Sequence, residues 1–146
     1  SHILQIRNDV PARYAAIEWL GLGFLGYSPF VPFYTNINQT PKNYRTVGRQ
    51  VSMRSAYWMY KSLLVYIEPH YHDFIDEVNA YRTSAQAYAL HEINQIDQSV
   101  SSLSGNELTS RLTKLTALMT DHVTNMTKNL ISDLIQRCLN HSHIKY

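Results

Sequence analysis

SPFVPFYTNINQTP, residues 28–41, packs three prolines, two phenylalanines and a tyrosine into one short segment. Each proline fixes φ and removes an amide donor, so the segment is neither an uninterrupted helix nor a central strand. It also divides the chain into two halves of different character. Up to Gly48 lie four of the five glycines and four of the five prolines, whereas beyond about residue 52 prolines almost vanish and apolar residues recur every three or four positions. The first fifty residues therefore read as strand and loop and the remainder as long helices, an α+β arrangement.

On the N-terminal side, AAIEWLGLGFLG (15–26) is a short apolar run bounded by glycine, which suggests a strand or hairpin. SHILQIR (1–7) alternates, with Ile3, Gln5 and Arg7 on one side and His2, Leu4 and Ile6 on the other, as in a strand already under way. With no initiator methionine, this opening is expected to be cut from something longer.

On the C-terminal side a first helix is expected over about 52–67, with Ser52 as N-cap and Ala56, Tyr60, Leu63, Leu64 and Ile67 along one stripe. Pro69 breaks it. A second helix is expected over about 69–98, its apolar face carrying Tyr71, Phe74, Val78, Tyr81, Ala85, Tyr88, Glu92 and Ile96. In LSGNEL (103–108), Ser104 and Glu107 have capping-box spacing, and Leu103 and Leu108 that of a hydrophobic staple, so a third helix should start there. Leu108, Leu112, Leu115, Met119, Val123, Met126, Leu130 and Leu134 carry its stripe to about Leu139, with threonines and charges on the other face. The last two helices, joined by QSVSSLSG, imply an antiparallel hairpin.

Composition narrows the function classes. A chain of 146 residues fits one unit with its own core, and 45% hydrophobic content with 16% charged residues is ordinary for a globular protein. The formal charge of +2 comes from scattered basic residues, which argues against a nucleic-acid partner. No apolar run is long enough to cross a bilayer and no leader opens the chain, so the expectation is no membrane association and a cytoplasmic location. The single cysteine, Cys138, excludes an internal disulfide and a CxxC pair, and reads as a half-buried structural residue in a helix.

No cofactor or metal signature stands out. His70 and His72, like His141 and His143, are two apart and diverge around a helix, so neither pair makes a two-ligand face. Gly21, Gly23 and Gly26 lack the dinucleotide-binding arrangement. Sequons at Asn38, Asn125 and Asn140 matter only in a secreted protein. Ser1 could act as an N-terminal nucleophile with its amine as base, though a chain boundary explains it more simply.

SHILQIR, EWLGLG, SPFVPFYTNINQTPKNY and SAYWMYKSL, in this order and spacing, resemble the C-terminal portion of the dipeptidase A family, cysteine peptidases of the N-terminal nucleophile hydrolase superfamily and relatives of secernin. Over the first seventy residues the likeness is specific; beyond about His72 it is helical character alone. The resemblance implies a four-layer αββα sandwich and an N-terminal cysteine whose thiol is the nucleophile and whose amine is the base. That cysteine has no counterpart here: Cys138 stands at the far end, and Ser1 matches an internal strand position. Residues 1–146 are thus expected to be a single C-terminal fragment, 1–50 strand and loop and 51–146 helical, with no catalytic residue and no activity of its own. Short peptides would be the substrates of the complete enzyme.

Within that resemblance the proline-rich segment has two candidate roles. It seals the sandwich edge with aromatic bulk, or it forms a cleft wall with Ser28, Tyr34 or Asn36 contacting substrate. The rival to a peptidase piece is a non-catalytic helical module whose hairpin serves oligomerisation; a third option, single-stranded nucleic acid stacking on tyrosines, lacks a basic groove. Apolar strand surface around Trp19, Leu20 and Leu22 is expected to be uncovered and to drive self-association, most simply as a homodimer.

Overall fold

The computed structural model describes residues 1–45 and 47–142. His2–Ile6 forms β1, Ala16–Leu20 forms β2 and Val31–Tyr34 forms β3, in one antiparallel sheet of order β1-β2-β3. The alternation of SHILQIR and the apolar run before Gly21 account for the first two strands. Ile3 pairs with Trp19, and Trp19 in turn with Pro32. The proline-rich segment is thus partly strand, at an edge where proline is tolerated. The Thr35 amide donates to the Ala16 carbonyl, so by two-residue alternation the Pro32 nitrogen points away from β2.

Burial falls steadily across the sheet. All four residues of β3 are buried, β2 buries Ile17 and Trp19 on one face, and every residue of β1 is exposed. Ile3, Leu4 and Ile6 are 52%, 69% and 76% exposed, while Trp19 is only 8% exposed and Leu20 and Leu22 are half-buried. The uncovered apolar surface therefore lies on β1, not around Trp19, Leu20 and Leu22, because the helices reach as far as β2.

Lys42–Arg45 is one turn, α1, followed by α2 at Ala56–Ile67, α3 at Tyr71–Ser99 and α4 at Gly105–Asn140. The first long helix starts later than Ser52: the Ser52 hydroxyl accepts from the Arg54 amide and its carbonyl from the Ser55 amide, forming a turn that delays the helix to Ala56. Pro69 sits in a 3-10 turn, Glu68–His70, between α2 and α3. Helices α3 and α4 form the expected antiparallel hairpin. Early α3 meets late α4 through Glu77 and Arg137, the middles meet through Tyr81 and Thr127 at 2.6 Å, and Tyr88 stacks on His122. Leu64 and Tyr71, expected on buried stripes, are 40% and 43% exposed.

The threonines of α4 overturn a simple amphipathic picture. Thr116, Thr120, Thr124 and Thr127 are buried, because α4 packs at once on α2, α3 and β3 and needs a broad inner face. Thr127 and Thr120 serve there by bonding back into their own helix, to the Val123 carbonyl at 2.8 Å and the Ala117 carbonyl at 3.1 Å, whereas Thr116 Oγ1 has no partner among the described residues. Tyr14, Tyr27, Tyr34, Tyr60 and Tyr81 are also buried, so much of the tyrosine excess is core.

The start of α4 departs from the expected capping box. Ser104 is at the N-cap, but its side chain makes no cap hydrogen bond, and Gly105 takes φ +56. A left-handed first residue turns the Ser104 hydroxyl away from the amides it would cap. The staple survives, since Leu103 packs on the cluster that buries Leu108. Ser104→Ala is therefore expected to change stability by less than about 0.5 kcal/mol, in the range of ordinary surface substitutions. Gly105→Ala should cost about 1 kcal/mol or more, the penalty of a left-handed residue bearing a Cβ, with no new clash to confuse the result. Urea midpoints of the two variants test this order; equal losses would restore the capping box.

Candidate functional site

Tyr34 lies on β3, facing α3. Its hydroxyl donates to Asp97 Oδ1 at 2.7 Å and approaches the Ile93 carbonyl at 3.2 Å. Arg7, just past β1, closes the group: Nη1 donates to Asp97 Oδ2 at 2.5 Å, Nη2 to Asp97 Oδ1 at 3.1 Å and to the Tyr14 carbonyl, and Nε to the Ala15 carbonyl. The guanidinium also lies over the Tyr34 ring, 5.7 Å from its centroid. Burial, then the neighbouring carboxylate of Asp97, pushes the Tyr34 phenol far above its ordinary value. Burial works against the charge of Arg7, but hydrogen bonds and attraction from Asp97 outweigh it and raise its pKa. This network joins the sheet to the helical hairpin.

Asn36 is also tied internally. Its Nδ2 donates to the Arg13 carbonyl at 3.0 Å, and its Oδ1 accepts from Thr109 of α4 at 2.7 Å. Ser28 differs. It is 1% exposed, its hydroxyl has no hydrogen-bond partner among the described residues, and it borders an open cleft of about 510 Å³. Arg82 of α3 stands in the same cleft with its Nε buried and equally unpartnered, beside Phe30, Asn79 and Gln86. The structure thus separates the three residues: Tyr34 and Asn36 hold the segment in place, and Ser28 lies at a cleft.

A larger cleft, about 760 Å³, is elsewhere, between the loop before α2 and α4. It gathers Lys42, Arg54 and Lys128 against a single carboxylate, Asp121, with Ser55 and Thr124 in its wall. Ser55 occupies the N-cap of α2, yet its side chain makes no cap hydrogen bond and its buried Oγ has no partner among the described residues.

Other candidate groups are placed without chemistry. Cys138 is half-buried against the core. The amine of Ser1 donates to the Gly21 carbonyl at 3.0 Å, putting Ser1 in the strand ladder beside Gly21. Among the described residues no three His, Cys, Asp or Glu side chains are grouped to hold a metal ion, and His143 lies outside the described residues. No helix among them is long and apolar enough to cross a membrane.

Sequence reasoning missed Arg7, Asp97, Ser55 and Arg82. Asp97 had a visible signal, because it continues the i, i+4 row of Ala85, Ala89 and Ile93 on the buried face of α3. A carboxylate in that row demands a cation or a donor.

The model of peptidase family C69 matches residues 1–84, and the chain belongs to that family. A probable dipeptidase of Latilactobacillus sakei is 30% identical over 135 residues, and dipeptidase A of Lactobacillus helveticus 31% over the same number; each alignment covers 92% of this chain. A probable dipeptidase B of Lactococcus lactis is 37% identical over 98 residues, covering 66% of this chain and 20% of the relative. The chain spans 28% of the length of the first two relatives. The likeness thus extends well past His72, into the helical hairpin.

Proposed function

We propose that this chain is the C-terminal part of a cysteine dipeptidase that hydrolyses peptide bonds of short peptides, and that it supplies fold and cleft wall while the nucleophile lies elsewhere. The observation that carries the reading is the family match at residues 1–84, joined to dipeptidase relatives aligned over 92% of the chain. In support, β1 presents Ile3, Leu4 and Ile6 to solvent along a free sheet edge, as expected of an inner strand of a larger αββα sandwich. Burying those side chains would remove apolar area worth roughly 25 cal/mol per Å². A second copy covering the same edge would give a homodimer instead. Of the three candidate residues of the proline-rich segment, Ser28 alone lies at a cleft, and Tyr34 and Asn36 act as positioning residues that hold the segment in place.

The test is hydrolysis by the 146-residue chain alone. No dipeptide turnover is expected, because the single cysteine, Cys138, lies near the C-terminal end of α4 and is not the N-terminal nucleophile that the dipeptidase reading requires. Turnover that survives thiol alkylation and disappears in Ser1→Ala would overturn the reading and make Ser1 the nucleophile.

A further inference from the structure

We propose that the cleft at the N-terminus of α2 is a carboxylate-binding site that takes the C-terminal carboxylate of a short peptide. This rests on the dipeptidase reading for its substrate class, but on the cleft's own geometry for its chemistry.

Helix α2 has twelve residues, and the amides of Ala56, Tyr57 and Trp58 in its first turn have no acceptor within the helix ladder, which begins with the Met59 amide on the Ser55 carbonyl. Its first turn carries no acidic residue, so nothing in the helix itself neutralises the positive end of the dipole. Ser55, at the position where a hydroxyl normally accepts from those amides, is 5% exposed and its Oγ has no partner among the described residues. An unpaired buried hydroxyl is destabilising, a cost that a ligand oxygen can remove.

The charges agree. Arg54 and Lys128 stand in the wall with one carboxylate, Asp121, a net positive lining suited to a monovalent anion. The volume of about 760 Å³ exceeds what a lone ion needs and lies within the range of roughly 300–1,000 Å³ typical of small-molecule sites. Ala117 and Leu118 of α4 add apolar surface for a side chain, and Asn43, whose Nδ2 reaches Thr124 at 3.2 Å, adds an amide for a peptide group. A dipeptide anchored by its carboxylate uses every one of these features, whereas a free anion uses only the helix end and the cations.

The experiment titrates the chain with alanyl-leucine, with its C-terminal amide and with inorganic phosphate, reading heats and the amide signals of residues 56–58. The free dipeptide is expected to bind and shift those signals, and the amidated form to bind at least about tenfold more weakly. Ser55→Ala should weaken binding by about tenfold, the equivalent of one charge-assisted hydrogen bond, without loss of thermal stability, because it removes a hydroxyl that has no partner. Lys128→Gln should weaken binding too, from an exposed position where folding is not at risk. Equal binding of dipeptide and amide, unchanged binding by Ser55→Ala, or binding of phosphate alone would each overturn the proposal. In the longer dipeptidase, Ser55→Ala should raise KM with kcat nearly unchanged. Unchanged KM there sinks the site and leaves the dipeptidase function standing; a longer protein that cleaves no dipeptide sinks the function, while the titration still decides the site.

Discussion

Asp97→Ala should destabilise the fold by about 3 kcal/mol or more, the usual cost of removing one member of a buried ion pair. The carboxylate receives both terminal nitrogens of Arg7 and the hydroxyl of Tyr34, and the side chains of Asp97 and Arg7 are each only 11% exposed. Its loss strands a buried guanidinium and a buried phenol together. Tyr34→Phe removes one donor and leaves the ion pair intact, so about 1 kcal/mol is expected, near the net value of a single hydrogen bond. Urea denaturation of the two variants gives the comparison. If Asp97→Ala unfolds at the wild-type midpoint with the same slope, the network is decorative and the sheet is held to the hairpin by apolar contacts alone. Under the proposed function, truncating Tyr34 in the longer protein is expected to lower stability and to leave the kinetics of the folded enzyme nearly unchanged.

Alkaline pH should unfold the protein cooperatively. Burial raises the phenols of Tyr34, Tyr44, Tyr60 and Tyr81 above the ordinary value near 10, with Asp97 adding to the effect at Tyr34 and Tyr60 at Tyr44. A raised folded-state pKa means that the fold holds the proton more tightly than the unfolded chain does. The stabilisation is complete below about pH 10 and is lost as pH rises from there towards the folded values. Each phenol kept protonated contributes a slope of about 1.4 kcal/mol per pH unit, so several acting together exhaust the stability of a typical domain within a few units. Tyrosinate absorbance and helical circular dichroism should change together in one steep transition above pH 10. Gradual titration of all the tyrosines near pH 10 with the helical signal intact would show that these phenols reach water in the native state.

The local alphabet made much of this architecture legible. Alternation in SHILQIR, the glycine-bounded AAIEWL run, Pro69 and the three-and-four spacing after residue 52 place two strands, a break and three long helices close to where they occur. Errors fell where a single residue has two local uses. Ser52 tightens a turn instead of capping α2, and Ser104 sits at a cap whose neighbour, Gly105, takes a left-handed conformation and turns the hydroxyl aside. Serine and glycine each permit several such geometries at similar energy, so spacing alone does not choose among them.

What the sequence determined by itself is the α+β class, the order of strand and helix, the antiparallel hairpin and, through its motifs, the peptidase family. Those properties follow from periodicity, from proline and glycine chemistry, and from short-range pairing, all of which act within a few residues. Tertiary structure alone decided that four threonines of α4 face inward, that β1 and not β2 lies bare, and that Arg7 meets Asp97 across ninety residues of chain. It also decided that Ser28 and Ser55 are buried beside clefts without partners among the described residues, while Tyr34 and Asn36 are bound up in the fold. Each of these depends on which elements pack against one another, and burial of a hydroxyl or a charge is a property of the assembled neighbours, not of the residue that carries it.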